Sequence, residues 1–212
     1  MLSTNNVNNY GWKSAIPPGS CEYIVPFILE YIKDNNFYSV LDIGCGNGAI
    51  CNEIKKRFNN IDVVGIDADS SGINIAKKLY NNIEFHKYSV DKAQCEKLKS
   101  RKFDFVISTE VIEHLYSPQQ LLTFCSKYLS PNGKLLITCP YFGYLKNIAI
   151  SILGEWDSVH TSLWEGGHIK FWSKKTITKL LNDNGFKIIR FTGAGRIKYL
   201  WKSMVVISEI ID

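Results

Sequence analysis

Residues 109–115 of this 212-residue chain hold the densest group of side chains that can do chemistry: two carboxylates and an imidazole within Thr-Glu-Val-Ile-Glu-His-Leu. The imidazole of His114 titrates near neutral pH, so it can take a proton from an acceptor hydroxyl or amine as a general base. Carboxylates combined with an imidazole can also hold a divalent cation. If the chain takes a helical turn here, Glu110, Glu113 and His114 lie on one face.

Three interpretations of this segment are open from the residues alone. In the first, which we favour, His114 acts as a base or positions the acceptor. In the second, the two carboxylates and His114 hold a divalent cation, with His160 or His168 as a further ligand, and the cation lowers the pKa of the acceptor hydroxyl. In the third, the segment is structural: Glu113 complements a helix N-terminus and His114 is hydrogen-bonded in the core.

A second stretch, residues 40–48, reads Val-Leu-Asp-Ile-Gly-Cys-Gly-Asn-Gly and leads from a buried strand pattern into a helix pattern. Glycine lacks a Cβ, which lets the backbone turn tightly and lets a ligand approach closely. The next apolar run ends in Asp67, at the spacing where a carboxylate can accept hydrogen bonds from both ribose hydroxyls of an adenosine. The two features together predict a site for a cofactor that contains adenosine.

The spacing of the glycines distinguishes between two classes of such cofactor. Loops that bind nicotinamide dinucleotides follow Gly-x-Gly-x-x-Gly and seat a pyrophosphate on a helix N-terminus. Here Gly44, Gly46 and Gly48 alternate, and Asp42 precedes them. S-adenosylmethionine (SAM) has no pyrophosphate but carries an ammonium, a carboxylate and a sulfonium, and an acidic residue at the strand end suits its cationic part. The loop therefore favours SAM.

Short apolar runs alternate with helical patterns along most of the chain, which predicts a parallel sheet covered by helices on both faces. A helix over 21–34 precedes the first strand, and a helix with Ser173 as its N-cap ends at Asn184-Gly185. The predicted strands are 39–43, 62–66, 83–88, 103–108, 133–139, 186–191 and 201–207, and the remaining predicted helices are 49–58, 72–80, 92–98 and 118–128.

Length and composition predict one globular domain in the cytoplasm, since 45% of the residues are hydrophobic and no run approaches the roughly 18 apolar residues of a membrane helix. The N-terminal residues also lack the apolar segment of a signal peptide. Six scattered cysteines without a Cys-x-x-Cys pair indicate neither a zinc site nor disulfides. Residues 169–202 hold nine Lys or Arg residues and one Asp. We interpret them as a solvated surface in preference to a site for an acidic partner.

Residues 41–48 resemble the SAM-binding motif of class I SAM-dependent methyltransferases. Residues 65–67 resemble the second motif of that family, 88–91 stand where the family contacts adenine, and 103–108 resemble its fourth strand. The resemblance runs from about residue 39 to residue 191 and is strong as a set. It implies a Rossmann-like α/β fold with a seven-stranded sheet in the order 3-2-1-4-5-7-6, strand 7 antiparallel, and helices on both faces.

The resemblance also implies how the chain is organised around the cofactor. A single methyltransferase domain would span 1–212, with 1–36 as an N-terminal lid and helix and the aromatic-rich 141–172 as an insertion on the acceptor side. Tyr10 and Trp12 are candidates for closing over the cofactor. The residues expected to bind SAM, or its product S-adenosylhomocysteine (SAH), are Asp42, Gly44, Cys45, Gly46, Asp67, Ala68, Val90, Asp91, Thr109 and Glu110.

The Glu, Glu, His pattern resembles ubiquinone-pathway O-methyltransferases and small-RNA 2′-O-methyltransferases, in which such a set is a metal site. Residues 166–169 resemble a Gly-His-Ile run of relatives from sugar, lipid and quinone pathways, where the histidine lies near the acceptor. The same pentapeptide is widespread in the larger family, including members without a metal. We expect O-methylation of a small-molecule, glycan-like or lipid-linked acceptor, and a divalent metal stays the second interpretation. The expected catalytic residues are His114 as base, Glu113 and His168.

Two other functions compete with this expectation. One is a metal-dependent RNA 2′-O-methyltransferase that uses Glu110, Glu113, His114 and His168, which the basic carboxyl-terminal third favours. The other is a SAM-binding or interaction protein that kept the fold and lost the chemistry. The intact glycine loop and Asp67 argue against that last possibility.

Overall fold

A computed structural model describes residues 11–92, 95–160, 163 and 166–211. Within these residues seven strands form one sheet in the order β3-β2-β1-β4-β5-β7-β6, with β7 antiparallel to both of its neighbours and the other pairs parallel. The predicted sheet order and the antiparallel seventh strand are confirmed. The strands are β1 (Ser39–Ile43), β2 (Asp62–Asp67), β3 (Glu84–Lys87), β4 (Phe103–Thr109), β5 (Leu129–Pro140), β6 (Phe186–Ala194) and β7 (Ser203–Ile210).

Helices cover both faces of this sheet. The helix that precedes the first strand and the helix capped by Ser173 both form where the sequence predicts them. The helices of the described residues are α1 (Cys21–Asn35), α2 (Ala49–Arg57), α3 (Ser70–Leu79), α4 (Pro118–Tyr128), α5 (Tyr144–Leu153), α6 (Trp156–His160) and α7 (Lys174–Asp183), and single 3₁₀ turns span Glu96–Leu98 and Ile112–His114.

Most of the differences from the predicted elements lie at their ends. Strand β5 begins four residues earlier than predicted, at Leu129, because its start pairs with Phe103 across an irregularity in the register with β4. Strand β7 begins at Ser203 instead of residue 201 because Trp201 packs edge-on against Tyr141, with ring centroids 5.1 Å apart. The helix predicted over 92–98 is a single 3₁₀ turn in its described part.

The core is divided by the sheet because successive side chains of a strand point to opposite faces. In β1, Val40 packs with α1, α2 and α3, whereas Leu41 and Ile43 pack with α4 and α7 on the other face. Strands β1 and β4 are apolar and buried on both faces, as parallel strands in the centre of a sheet must be. The central strands therefore form a rigid base whose carboxyl ends carry the loops of interest.

Six free cysteines are found, five of them buried, in agreement with the expectation of unpaired thiols. None of the helices in the described ranges is both long enough and apolar enough to span a lipid bilayer.

Replacing Phe105 by Ala should destabilise the fold strongly. The ring is fully buried in β4 and packs on Phe37 and Tyr31, with centroid distances of 4.9 and 5.4 Å. Its removal leaves a cavity between the sheet and α1, and we expect the free energy of unfolding to fall by about 3 to 5 kcal/mol in a urea titration. Tyr38→Ala, at a side chain 72% exposed, is the control and should change it by less than about 0.5 kcal/mol.

Candidate functional site

A cleft of about 570 Å³ opens at the carboxyl ends of β1, β2 and β4. Because β1 has β2 on one side and β4 on the other, the order of the strands reverses here, and open α/β sheets bind their ligands at such a point. The cleft brings together nearly all the residues predicted from the sequence: Gly44, Cys45, Gly46, Asp67, Ala68, Val90, Asp91, Thr109, Glu110, Glu113, His114 and His168 line it.

The loop after β1 takes a conformation that two of its glycines make accessible. Gly44 has φ of 81° and Gly46 has φ of 55°, both in the left-handed region. A Cβ on Gly44 would overlap the side chain of Val111, and a Cβ on Gly46 would overlap the indole of Trp12. Both positions therefore need glycine for backbone conformation and for space.

Asp67 at the end of β2 is held in place by the backbone around it. Its Oδ2 accepts a hydrogen bond of 2.8 Å from the amide of Gly46, and its Oδ1 accepts one of 2.7 Å from the amide of Asp69. A carboxylate oxygen has two lone pairs, so each oxygen can accept one more hydrogen bond. This geometry suits a carboxylate that receives two neighbouring ribose hydroxyls.

Asp42 is not among the residues that line the cleft. It is fully buried behind the glycine loop, where its Oδ2 accepts a hydrogen bond of 3.3 Å from the Cys51 thiol. Burial raises the pKa of this carboxyl to about 7. The structure thus places Asp42 as a support of the loop, and its direct contact with the cofactor stays a prediction.

Glu110 reaches the cleft by a route different from the helical turn considered from the sequence. It has φ of 53°, in the left-handed region, and lies before the 3₁₀ turn instead of within it. Its backbone amide donates a hydrogen bond of 3.1 Å to the carbonyl oxygen of Thr138 in β5. Its Oε1 accepts a hydrogen bond of 2.8 Å from the Thr138 hydroxyl, and burial raises its pKa.

Glu113 has the most unusual environment in the cleft. Its backbone carbonyl accepts hydrogen bonds of 3.0 Å from the amides of both Ile169 and Lys170, which ties the turn to the segment before α7. Its side chain is fully buried, and neither carboxylate oxygen has a hydrogen-bond partner within the described residues. Burial, together with the negative charge of Glu110, raises the pKa of Glu113 well above its ordinary value.

His114 and His168 face each other beside this carboxyl group, with ring centroids 5.0 Å apart. His114 Nδ1 lies 3.1 Å from the carbonyl oxygen of Gly167, and since a carbonyl can only accept, Nδ1 carries the hydrogen. Burial lowers the pKa of His114, and burial with the neighbouring charges of His114 and His160 lowers the pKa of His168 to about 4. One donor atom from each of Glu113, His114 and His168 lies within 4.8 Å of the others.

His160 is not part of this group of donor atoms. Its ring stacks between Phe142 and Trp156, at centroid distances of 5.5 and 4.6 Å, and Phe171 meets it edge-on at 4.8 Å. These residues, with Asn147 and Asp157, line a second cleft of about 480 Å³. Of the two histidines named as further metal ligands, the structure brings only His168 to Glu113 and His114.

Sequence reasoning missed several residues of the cleft. Tyr116 and Gln120 line it without any pattern that marks them. Asp69 also lines it and is the N-cap of α3, where its Oδ1 accepts a hydrogen bond of 2.7 Å from the amide of Ser71. Asp is a preferred N-cap residue, so the sequence before α3 contained a signal that could have identified Asp69.

Comparisons with known proteins show the family and the fold of this chain. Residues 18–190 match a family model described as a methyltransferase domain. A ubiquinone biosynthesis O-methyltransferase of Rickettsia canadensis is 31% identical over 89% of this chain and 79% of its own length. The enzyme of the same name from Bradyrhizobium diazoefficiens is 30% identical over 73% of this chain and 60% of its own length. The SAH-bound structure of magnesium protoporphyrin IX methyltransferase from Synechocystis PCC 6803 has a TM-score of 0.63 at 18% identity, covering 89% of this chain and 82% of that one.

The sheet order and the cleft at its switch point define a class I SAM-dependent methyltransferase. The chain belongs to the methyltransferase domain family that its residues 18–190 match.

Replacing Asp42 by Asn should change how stability depends on pH. Folding raises the pKa of Asp42 from 3.8 to about 7, so between those pH values the folded chain holds a proton that the unfolded chain has released. The contribution of Asp42 to the free energy of unfolding therefore falls as the pH rises through this window. Asp42→Asn cannot ionise and should gain stability relative to the wild type, by at most about 1.4 kcal/mol per pH unit.

Urea titrations at several pH values between about 4 and 8 measure this difference. Asp34→Asn, at an exposed position of α1, is the matched control and should give a curve parallel to the wild type. A parallel curve for Asp42→Asn as well would contradict the raised pKa.

Proposed function

We propose that this protein transfers the methyl group of SAM to a hydroxyl oxygen of a small-molecule acceptor and that His114 takes the hydroxyl proton. The observation that carries the proposal is the imidazole of His114 in the cofactor cleft, with Nδ1 bonded to the Gly167 carbonyl and Glu113 beside Nε2. The reaction is an in-line displacement at the sulfonium, and its rate depends on holding acceptor oxygen and methyl carbon roughly 3 to 3.5 Å apart.

The protonation state of His114 suits a base. Because Nδ1 carries the hydrogen, Nε2 of the neutral ring carries the lone pair that accepts a proton. Burial lowers the pKa of His114, so the ring is neutral at physiological pH. Glu113 Oε1 lies 3.9 Å from this nitrogen. When Glu113 is ionised, its negative charge at this distance stabilises the imidazolium that forms as His114 takes the acceptor proton.

The choice of an oxygen and of a small molecule rests on the relatives. The two curated proteins quoted above are named as O-methyltransferases of ubiquinone biosynthesis. We propose that the aromatic cleft around His160 receives the apolar part of such an acceptor. The division into an acceptor side at 141–172 within a single domain over 1–212 stays a prediction. A cytoplasmic location stays a prediction.

Replacing His114 by Ala tests the proposed base. We expect kcat to fall by about 10² to 10⁴ with a phenolic or catechol acceptor while the dissociation constant of SAH changes less than threefold. Tritium transfer from methyl-labelled SAM and calorimetry with SAH measure the two quantities. His86→Ala, at a histidine of β3 that pairs with Glu84 away from the cleft, is the control. Unchanged turnover, or a large loss of SAH binding, would contradict the role of His114.

A divalent cation is a second candidate that one observation favours. The buried carboxylate oxygens of Glu113 and the buried Nδ1 of His168 have no hydrogen-bond partner within the described residues, and a cation would supply one. Carboxylate and imidazole donors fit Mg²⁺, Mn²⁺ or Zn²⁺. Such an ion would be held by Glu113, His114 and His168, whose donor atoms lie close together, and it would lower the pKa of the acceptor hydroxyl. Glu110, the fourth ligand predicted from the sequence, is not part of that group of donor atoms.

Chelation and direct titration separate the two candidates. If the cation is required, dialysis against a chelator abolishes turnover and calorimetry in the presence of SAH detects one cation bound per chain. Glu113→Gln then weakens that binding at least tenfold, whereas Glu22→Gln, exposed on α1, leaves it unchanged. Full turnover after chelation would exclude the metal and leave the base mechanism.

Among the described residues, no contact favours RNA as the acceptor over a small molecule. Five of the nine basic side chains between 169 and 202 contact other side chains of the same protein. Lys179 pairs with Asp183 at 2.8 Å, and Lys174, Arg190, Lys198 and Lys202 lie over aromatic rings. Incubation with methyl-labelled SAM and separate pools of small molecules, glycans, lipids and RNA shows which class of acceptor is methylated. SAH binding without turnover on any pool would indicate a SAM-binding protein that has lost its catalytic activity.

A further inference from the structure

The chain before α1 runs along the rim of the cofactor cleft, and most of its described residues are exposed. Residues 13–17 are exposed to solvent, yet Trp12 on one side of them and Pro18 on the other line the cleft together with the glycine loop. A segment with so little buried surface stays in place only if particular side chains of the domain hold it. We call residues 11–18 the strap.

Asn47 is the first of these anchors. It is 1% exposed and follows Gly46 directly, so it belongs to the same loop that forms the cofactor cleft. Its side-chain amide donates hydrogen bonds to the carbonyl oxygens of Ser14 and Ile16, at 3.4 and 3.0 Å, while its Oδ1 accepts from the amide of Ala49 at 3.3 Å. The side chain thus joins the middle of the strap to the start of α2.

Asp69 is the second anchor. Its Oδ2 accepts a hydrogen bond of 2.8 Å from the amide of Gly11, at the beginning of the strap. Its other oxygen caps α3, and its own amide donates to Asp67 Oδ1 at 2.7 Å. The strap and the carboxylate expected to bind the ribose are therefore attached to the same residue.

Trp12 fills the space between these anchors. A Cβ on Gly46 would overlap its indole, and a Cβ on Gly72, at the start of α3, would lie 2.9 Å from its Cδ1 atom. Both glycines therefore leave room for the ring, which covers the backbone between the glycine loop and α3. The ring also lines the cofactor cleft and closes the side next to Asp67.

We propose that the strap retains the cofactor, with Trp12 as a movable wall of the SAM pocket and with Asn47 and Asp69 as the anchors that hold it closed. Exposed segments with few buried contacts open locally at a small free-energy cost, so the strap can release to exchange SAH for SAM. Because Asp67 connects the cofactor to Asp69, binding of the cofactor and closure of the strap favour each other. This proposal concerns the cofactor, so it does not depend on which acceptor is methylated.

Two measurements on the full chain test the strap. In hydrogen exchange, SAH should slow the amides of residues 11–16 at least tenfold, since the prolines at 17 and 18 have no amide hydrogen. In stopped-flow experiments with SAH, Trp12→Ala and Asn47→Ala should each raise the dissociation rate about tenfold while the association rate changes little, since each variant removes contacts made only in the closed state. Asn82→Ala, at an exposed turn after α3, is the matched control and should behave as the wild type.

Asn47 is buried, so its replacement can also disturb folding, whereas Trp12 lies at the rim of the cleft and its replacement leaves the core intact. A Trp12→Ala variant that has the melting temperature of the wild type and releases SAH faster supports the proposed role of the strap, even if Asn47→Ala fails to fold. Unchanged amide exchange of residues 11–16 with SAH, or a dissociation rate of Trp12→Ala within twofold of the wild type, would overturn the proposal. Loss of methyl transfer without either change would count against the proposed acceptor chemistry and leave the strap unaffected.

Discussion

The carbonyl oxygen of Ile66 at the end of β2 accepts hydrogen bonds from two successive amides of the glycine loop, Gly44 at 2.8 Å and Cys45 at 3.0 Å. These two hydrogen bonds turn the chain that leaves β1 towards the end of β2. The turn requires a positive φ at Gly44, which glycine adopts readily. The same turn points the amide of Gly46 at Asp67. The cofactor cleft, its orienting carboxylate and the surface that Trp12 covers all depend on it.

Around this turn the protein concentrates negative charge where solvent is excluded. Asp42 and Glu113 are buried and Glu110 is half-buried, and burial raises the pKa of each carboxyl group. Uncompensated carboxylates in an apolar surrounding are costly, so the arrangement favours ligands that bring positive charge. SAM brings such charge in its sulfonium and its ammonium. The acidic groups in and behind the cleft therefore suit a cationic cofactor.

Local patterns were sufficient for the framework of the fold. Buried parallel strands have continuous apolar sequences, and a capping residue such as Ser173 marks the first residue of its helix. The ends of elements were less predictable because distant partners set them. Leu129 extends β5 by pairing with Phe103, and Trp201 leaves β7 to pack on Tyr141. No spacing within either segment encodes those contacts.

The sequence by itself determined the cofactor class and the position of its loop, because alternating glycines and an acidic residue at the end of the next strand act over short distances along the chain. Only the tertiary structure decided which distant side chains join them. It brought His168 instead of His160 to Glu113, placed Asp42 behind the cleft, and connected Asn47 to carbonyl groups 33 and 31 residues earlier in the chain. Such contacts form when the sheet and its helices pack. No local sequence pattern predicts them, because the residues involved are far apart along the chain.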